Sequence, residues 1–266
     1  MLPTAEDWFA SRGWEVFPFQ REAWNAFAEG KNGIVNAPTG SGKTYSLLLP
    51  ILLQIAAEGG NTKKLKAIWV TPIRALAKEI QQSANRACGE MGIHAEVAIR
   101  TGDTSAKEKA QLKKSPPDIL ITTPETLHVL LAQKGYPAYF KGLMAIVMDE
   151  WHELIGSKRG VQVELALSRL KTVSSQLRVW GISATIGNME ESMEVLLGNW
   201  YHERPHAFIR GDIEKVIQVE SIFPDELDTL PWAGHLGIRL IDKIIPILLH
   251  SESTLIFLNT RGQAEI

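Results

Sequence analysis

Short, almost uninterrupted apolar runs recur along the chain, each closed by a polar turn and followed by a stretch of helical spacing. Residues 33–36, 65–70, 95–99, 119–121, 145–148 and 178–182 carry these runs. Their length and predominantly apolar content predict strands buried on both faces, most clearly at 145–148, which carries no charge. Between them apolar residues return at intervals of three and four. That spacing predicts helices over residues 4–9, 75–87, 126–132 and 161–171, and a further one through Ala23, Trp24 and Phe27 that ends at Gly30. Thr4 stands ahead of Ala5-Glu6-Asp7 as a cap for the first, and Gly59-Gly60-Asn61 closes the helix that begins near Tyr45. Pro50 lies inside that helix and should kink it or relax its ladder. The alternation of strand, turn and helix predicts an α/β fold with a mostly parallel central sheet and helices on both faces. Ligands of such sheets gather beyond the carboxyl ends of the strands, so the turns after the runs share one functional edge.

The turn after the first run is Ala37-Pro38-Thr39-Gly40-Ser41-Gly42-Lys43-Thr44. A glycine-rich loop between a strand and a helix N-terminus points backbone amides at phosphate oxygens, and the helix dipole adds to their pull. Lys43 would reach the β- and γ-phosphates of a nucleotide, and the Thr44 hydroxyl would ligate its magnesium ion. Ala37 departs from the general pattern, which has glycine there. Kinases, GTPases, motors and helicases all carry such a loop.

Other turns narrow the choice. The run at 145–148 delivers Asp149-Glu150-Trp151-His152 to the same edge. Asp149 can hold magnesium, directly or through water, and Glu150 can orient or deprotonate a water attacking the γ-phosphate. Thr71-Pro72-Ile73-Arg74, Arg100-Thr101-Gly102-Asp103 and Thr122-Thr123-Pro124-Glu125 close three further runs and offer amide-rich helix starts suited to a phosphodiester backbone. Ordinary strand-to-helix turns are the alternative for each one singly. Ser183-Ala184-Thr185 brings two hydroxyls to the edge. Gln20, among Trp8, Phe9, Trp14, Phe17, Phe19 and Trp24, can read an adenine edge or simply cap a helix beside an aromatic core.

The 266 residues are 45% hydrophobic, enough for one large domain or for one complete domain and part of another. Residues 47–57 are too short an apolar run to span a bilayer, and no secretory leader pattern opens the chain, so cytoplasmic residence without a membrane partner is expected. One cysteine, Cys88, excludes an internal disulfide. The net charge of −2 hides an excess of eleven Lys/Arg over five Asp/Glu in residues 63–114, a +6 stretch against −8 elsewhere. It is compatible with a polyanionic partner or with solvated helix faces.

In order, Gln20, the loop from Ala37 to Thr44, Thr71-Pro72-Ile73-Arg74-Ala75-Leu76-Ala77, Thr101-Gly102, Thr122-Thr123-Pro124-Glu125, Asp149-Glu150-Trp151-His152 and Ser183-Ala184-Thr185 resemble the first motor domain of superfamily 2 DExH-box helicases. Asp149-Glu150-Trp151-His152-Glu153-Leu154 with Gly156-Ser157-Lys158-Arg159-Gly160 is similar to the large-helicase-related (Lhr) group. Trp14, Phe17-Pro18-Phe19-Gln20-Arg21 and Pro231-Trp232-Ala233-Gly234-His235-Leu236-Gly237 suggest its ligase-associated branch. Trp151 replaces the alanine of the DEAD-box pattern.

The resemblance implies a RecA-like P-loop domain that uses ATP and Mg²⁺. Gln20, Thr39, Gly40, Ser41, Gly42, Lys43 and Thr44 would bind nucleotide, Thr44 and Asp149 the metal, and Glu150, Asp149 and Lys43 would serve catalysis. Arg74, Thr101, Gly102, Thr123 and Pro124 would line a nucleic-acid track, with His152, Ser183 and Thr185 coupling the two sites. The implied function is an ATP-dependent DNA helicase motor in DNA repair, acting on single-stranded or partially duplex DNA. The alternatives are an RNA-acting helicase and a binding half that hydrolyses nothing alone. Residues 1–223 would form the first motor domain, with 199–223 as an exit segment, and 224–253 a linker containing a helix over 237–249. Residues 254–266 would open a second domain, with a strand over 255–261. The later helicase motifs and their arginine fingers have no counterpart here, which suggests a piece of a longer helicase whose second motor domain is missing.

Overall fold

The computed structural model describes residues 2–59, 63–212, 218–223, 240–258 and 261. The chain divides into two compact units, residues 1–213 and 214–266. In the first, the apolar runs become β1 (Asn32–Asn36), β2 (Ala67–Val70), β3 (Val97–Arg100), β4 (Ile119–Thr122), β5 (Ala145–Met148) and β6 (Arg178–Ser183). A seventh strand, β7 (His206–Arg210), completes one sheet in the order β3-β4-β2-β5-β6-β1-β7 with every pairing parallel. Period-two alternation sends successive side chains to opposite faces. Ala67 and Trp69 of β2 therefore join one core, and Ile68 and Val70 join the other.

The first core is covered by α1 (Ala5–Ser11), α2 (Pro18–Ala28), α3 (Lys43–Ala57) and α4 (Arg74–Met91). The second lies under α6 (Pro124–Leu131), α8 (Trp151–Leu154), α9 (Lys158–Val173) and α10 (Met189–Leu197). Each large apolar side chain buried this way contributes about 1.5–3 kcal/mol. Two short helices, α7 (Tyr136–Phe140) and α11 (Trp200–Glu203), sit in connections, and α5 (Ala106–Lys114) follows the edge strand β3. Thr4 caps α1 through a reciprocal capping box with Asp7. Helix α3 runs through Pro50 without a break.

Three expectations are corrected. Helix α4 continues one turn past Ala87, because Cys88 and Met91 extend its buried stripe and Gly92, at φ 67°, ends it. Residues 199–223 contain α11 and β7 rather than an exit segment alone. β7 pairs with β1 from Asn32↔His206 to Asn36↔Arg210 and buries Ile209 fully, as an edge strand supplying one face of the core. Residues 255–258 form no strand; they are exposed, and no partner strand stands beside them among the described residues. The described part of the expected 237–249 helix is Ile241–His250. Gly60, Asn61, the Pro231 to Gly237 motif and residues 259–260 lie outside the described residues. No described helix is long and apolar enough to cross a membrane.

Candidate nucleotide and nucleic-acid site

The loop between β1 and α3 turns on two glycines. Gly40 (φ 81°) and Gly42 (φ 76°) both adopt the left-handed conformation, which side chains with a Cβ disfavour. Ala37 needs no such freedom. It is buried, its amide donates to the Ser183 carbonyl, and its methyl faces Gly211, where an added Cβ would come within 2.6 Å of it. The departure from glycine at position 37 is thus accommodated by a glycine after β7.

Gln20 is buried at the base of this loop. Its Oε1 accepts from the Phe17 amide (3.0 Å) and its Nε2 donates to the Gly42 carbonyl (3.2 Å). One side chain therefore satisfies the N-terminus of α2 and ties it to the phosphate loop. Beside it opens a cleft of about 450 Å³ lined by Phe9, Trp14, Phe17, Gln20, Tyr45 and the loop residues Gly40 to Gly42. Trp14 is 37% exposed there, held by edge contacts with Trp8 and Phe9 and by the Arg12 guanidinium 4.4 Å from its ring centre.

On the other side of the loop a cleft of about 250 Å³ brings Thr39, Lys43 and Thr44 together with Asp149 and Glu150. Lys43 and Asp149 are both buried. Burial, and then the neighbouring Glu150 carboxylate, push the Asp149 pKa up to about 6, while the Trp69 side chain, the Glu150 amide and Lys43 pull it down. The Glu150 amide donates to Asp149 Oδ1 at 3.1 Å. Glu150 itself sits at φ 47°, ψ 48°, a strained conformation for a residue with a Cβ, which redirects the chain from the strand into the start of α8. Trp151 is fully buried, donates from Nε1 to the Ser192 carbonyl and packs on Gly181, so its bulk is a core feature. Glu79 and Ser83 of α4 line the same cleft. Sequence reasoning missed them; their four-residue spacing on one helix face was the available signal.

His152 Nδ1 lies 2.8 Å from Ser183 Oγ and 3.4 Å from Glu150 Oε2. Ser183 Oγ also reaches the Thr185 carbonyl at 3.4 Å, while the Thr185 side chain is exposed. The end of β6 is thereby tied to the acidic turn after β5.

The turns after β2, β3 and β4 lie side by side because these strands are neighbours. Thr71 N–H donates to the Thr122 carbonyl, and Thr122 Oγ1 to the Arg100 carbonyl. Arg74 NH1 meets both Asp103 oxygens (2.6 and 2.8 Å), with its guanidinium over Gly102. Lys109 Nζ donates to the Gly102 carbonyl at 3.0 Å. Arg74 and Gly102 are exposed, whereas Thr101, Thr123 and Pro124 are buried; Thr123 caps α6 through the Thr126 amide. The +6 stretch does not form one surface. Lys66 is paired with Glu58 at the start of β2, the sheet end opposite these turns, while four lysines lie on α5.

Residues 17–192 match the family model of the DEAD/DEAH box helicases. The Lhr helicase/uracil glycosylase of Escherichia coli is 30% identical over 99% of this chain and 19% of its own length. The ATP-dependent helicase Lhr-Core of Methanocaldococcus jannaschii is 32% identical over 98% of this chain and 32% of its own. Among solved structures, Mycobacterium smegmatis helicase Lhr bound to ssDNA and AMP-PNP superposes with a TM-score of 0.78 at 25% identity, covering 99% of this chain and 35% of that one. The chain thus spans about a fifth to a third of the length of these relatives.

Proposed function

The chain belongs to the DEAD/DEAH box helicase family, and on that premise we propose that it is the ATP-hydrolysing half of a DNA-directed helicase motor. The observation that carries this reading is the strand order. The phosphate loop follows β1, the candidate track follows β2, β3 and β4, and the acidic turn after β5 with the hydroxyl turn after β6 stands between them. A change at the nucleotide can therefore pass to the track through two adjacent strand ends.

In this reading Gln20 and the aromatic cleft hold adenine, the loop from Thr39 to Thr44 wraps the phosphates, and Lys43 neutralises their charge. The residues present suit a magnesium ion: a buried carboxylate disfavoured in its charged form, Asp149, lines the same cleft as Thr44. Mg²⁺ would supply charge neutralisation of the transferred phosphoryl group. Glu150 orients the attacking water and accepts its proton, and His152 with Ser183 and Thr185 couples that turn to the neighbouring strand. Arg74, Thr101, Gly102, Thr123 and Pro124 line the backbone path; Pro124, which has no N–H, can only shape it, and the Thr101 amide is already bonded to Thr104 Oγ1. The ssDNA held by the Mycobacterium smegmatis relative supports DNA as the partner.

The reading assigns residues 1–223 to the first motor domain, 224–253 to a connection and 254–266 to the start of a second. It sets the protein's work in the cytoplasm, in DNA repair. Labelled single-stranded DNA and RNA of one sequence, titrated with Mg²⁺ and a non-hydrolysable ATP analogue, test it. DNA should bind more tightly, with an affinity that changes when nucleotide is added. Equal or tighter RNA binding overturns the DNA assignment, and nucleotide-independent binding overturns the motor.

A further inference from the structure

Helix α5 is held to the domain by one buried side chain, Leu112, yet it carries Lys107, Lys109, Lys113 and Lys114. Folding does not account for this composition. Lys107 and Lys109 fall within the first turn or so after the cap Ser105, at the positive end of the helix dipole, where a cation is unfavourable. Only Lys113 and Lys114, in the last turn, complement the dipole. The helix's one acid, Glu108, is bound by the Ser105 amide and hydroxyl at 3.0 and 2.7 Å, an interaction that holds its carboxyl below the usual range. Arg12, Arg21, Lys31, Lys66, Arg74 and Arg159 each meet a carboxylate, whereas other described lysines, Lys78 and Lys141 among them, join none. Among the described residues no ion pair joins the α5 lysines or Lys134.

This charge adjoins the candidate track. Lys109 touches the Gly102 carbonyl with one of its three N–H groups. Lys113 lies on the same helix face about 6 Å further along the axis, and it lines one small groove with Lys134, in the turn between α6 and α7. We infer that Lys109, Lys113 and Lys134 form a second phosphodiester-binding surface, which carries a nucleic-acid strand on from the Thr101-Gly102 turn along α5. This rests on the nucleic-acid reading above and extends it to a path the helicase motifs do not mark. Interactions of this kind bind backbone without reading bases.

The test is the triple variant Lys109→Gln, Lys113→Gln, Lys134→Gln, whose replacements keep good helix formers. Labelled oligothymidylates of about 6 and about 18 nucleotides, near the lower end and beyond the upper end of common single-strand site sizes, are titrated at several salt concentrations. On the longer strand the variant should lose roughly tenfold in affinity. Its log–log salt slope should fall by about 2, from about 0.7 per neutralised phosphate on single strands. The shorter strand, held at the strand-end turns, should change less than about twofold, and arginine at all three positions should restore the long-strand slope. Unchanged affinity and slope on both lengths would make the lysines a solvated face and overturn the inference. Equal loss on both lengths would overturn it too, by reducing the effect to unlocalised charge. If the unsubstituted chain binds neither strand, the nucleic-acid reading itself fails and the inference falls with it.

Discussion

Replacing Asp149 with Asn should stabilise the nucleotide-free protein while damaging its site. The carboxyl titrates at about 6 instead of 3.8 because it is buried beside Glu150. At pH 8 it is ionised both folded and unfolded, and the folded state bears a penalty of about 3 kcal/mol, from about 1.4 kcal/mol per pKa unit. The sign follows from a raised carboxylate pKa. The penalty is absent below 3.8, grows as pH rises between the two values, and is complete above about 6. At pH 5 it is roughly half as large. Asparagine keeps the oxygen that accepts from the Glu150 amide and carries no charge, so the variant should gain about 3 kcal/mol at pH 8 and about half of that at pH 5. For a domain of this size that is on the order of 6–12 °C in melting temperature at the higher pH. Urea unfolding followed by tryptophan fluorescence at the two pH values measures it. A variant no more stable than the parent, or one with equal gain at both pH values, would refute a carboxylate whose burial outweighs its partners at this position. Mg²⁺–ATP should stabilise the parent far more than the variant, which separates the effect from simple core improvement.

Lys43→Ala should weaken nucleotide binding about 10- to 100-fold, in keeping with about 1.5–3 kcal/mol for a charged hydrogen bond, whereas Glu150→Gln should bind normally and lose hydrolysis; calorimetry and phosphate release distinguish the two. The chain alone should hydrolyse ATP slowly, since an arginine finger typically supplies about 10³- to 10⁵-fold; turnover at the rate of a full-length helicase would contradict this. Arg74→Ala with Thr123→Ala should lower single-strand affinity evenly across sequences and flatten the salt slope by about 0.7 for each phosphate no longer neutralised, read by anisotropy titration. Gly33→Ala would set a methyl 2.3 Å from the Trp180 ring and 2.8 Å from the Ala207 carbonyl, so a loss of about 1–3 kcal/mol or more of unfolding free energy is expected, read as a lower urea midpoint.

Much of the architecture was legible in the chain because strand and helix periods are local. Six of the seven strands, the cap at Thr4, and the loop with its glycines at 40 and 42 follow from neighbouring residues alone. So does delivery of Asp149 and Glu150 to a strand end, since a charge-free run such as residues 145–148 has only one good environment. Apart from Gln20, in the first turn of α2, the candidate residues stand in the turns that close apolar runs, and for the same reason they could be picked out together.

What tertiary structure decided is everything that depends on which distant segments meet. β7 has a mixed pattern in which only Ile209 is fully buried, and it becomes a strand because β1, far earlier in the chain, offers an open edge. Residues 255–258 are more apolar and form none, since strand structure requires a partner ladder that no local pattern supplies. Ala37 is tolerated through Gly211, and Trp151 through Gly181. The +6 stretch, continuous in sequence, is separated by the β2–α4–β3 path into opposite ends of the sheet. Strand order, set by burial over the whole sheet rather than by any one motif, is what puts the acidic turn between the phosphate loop and the candidate track.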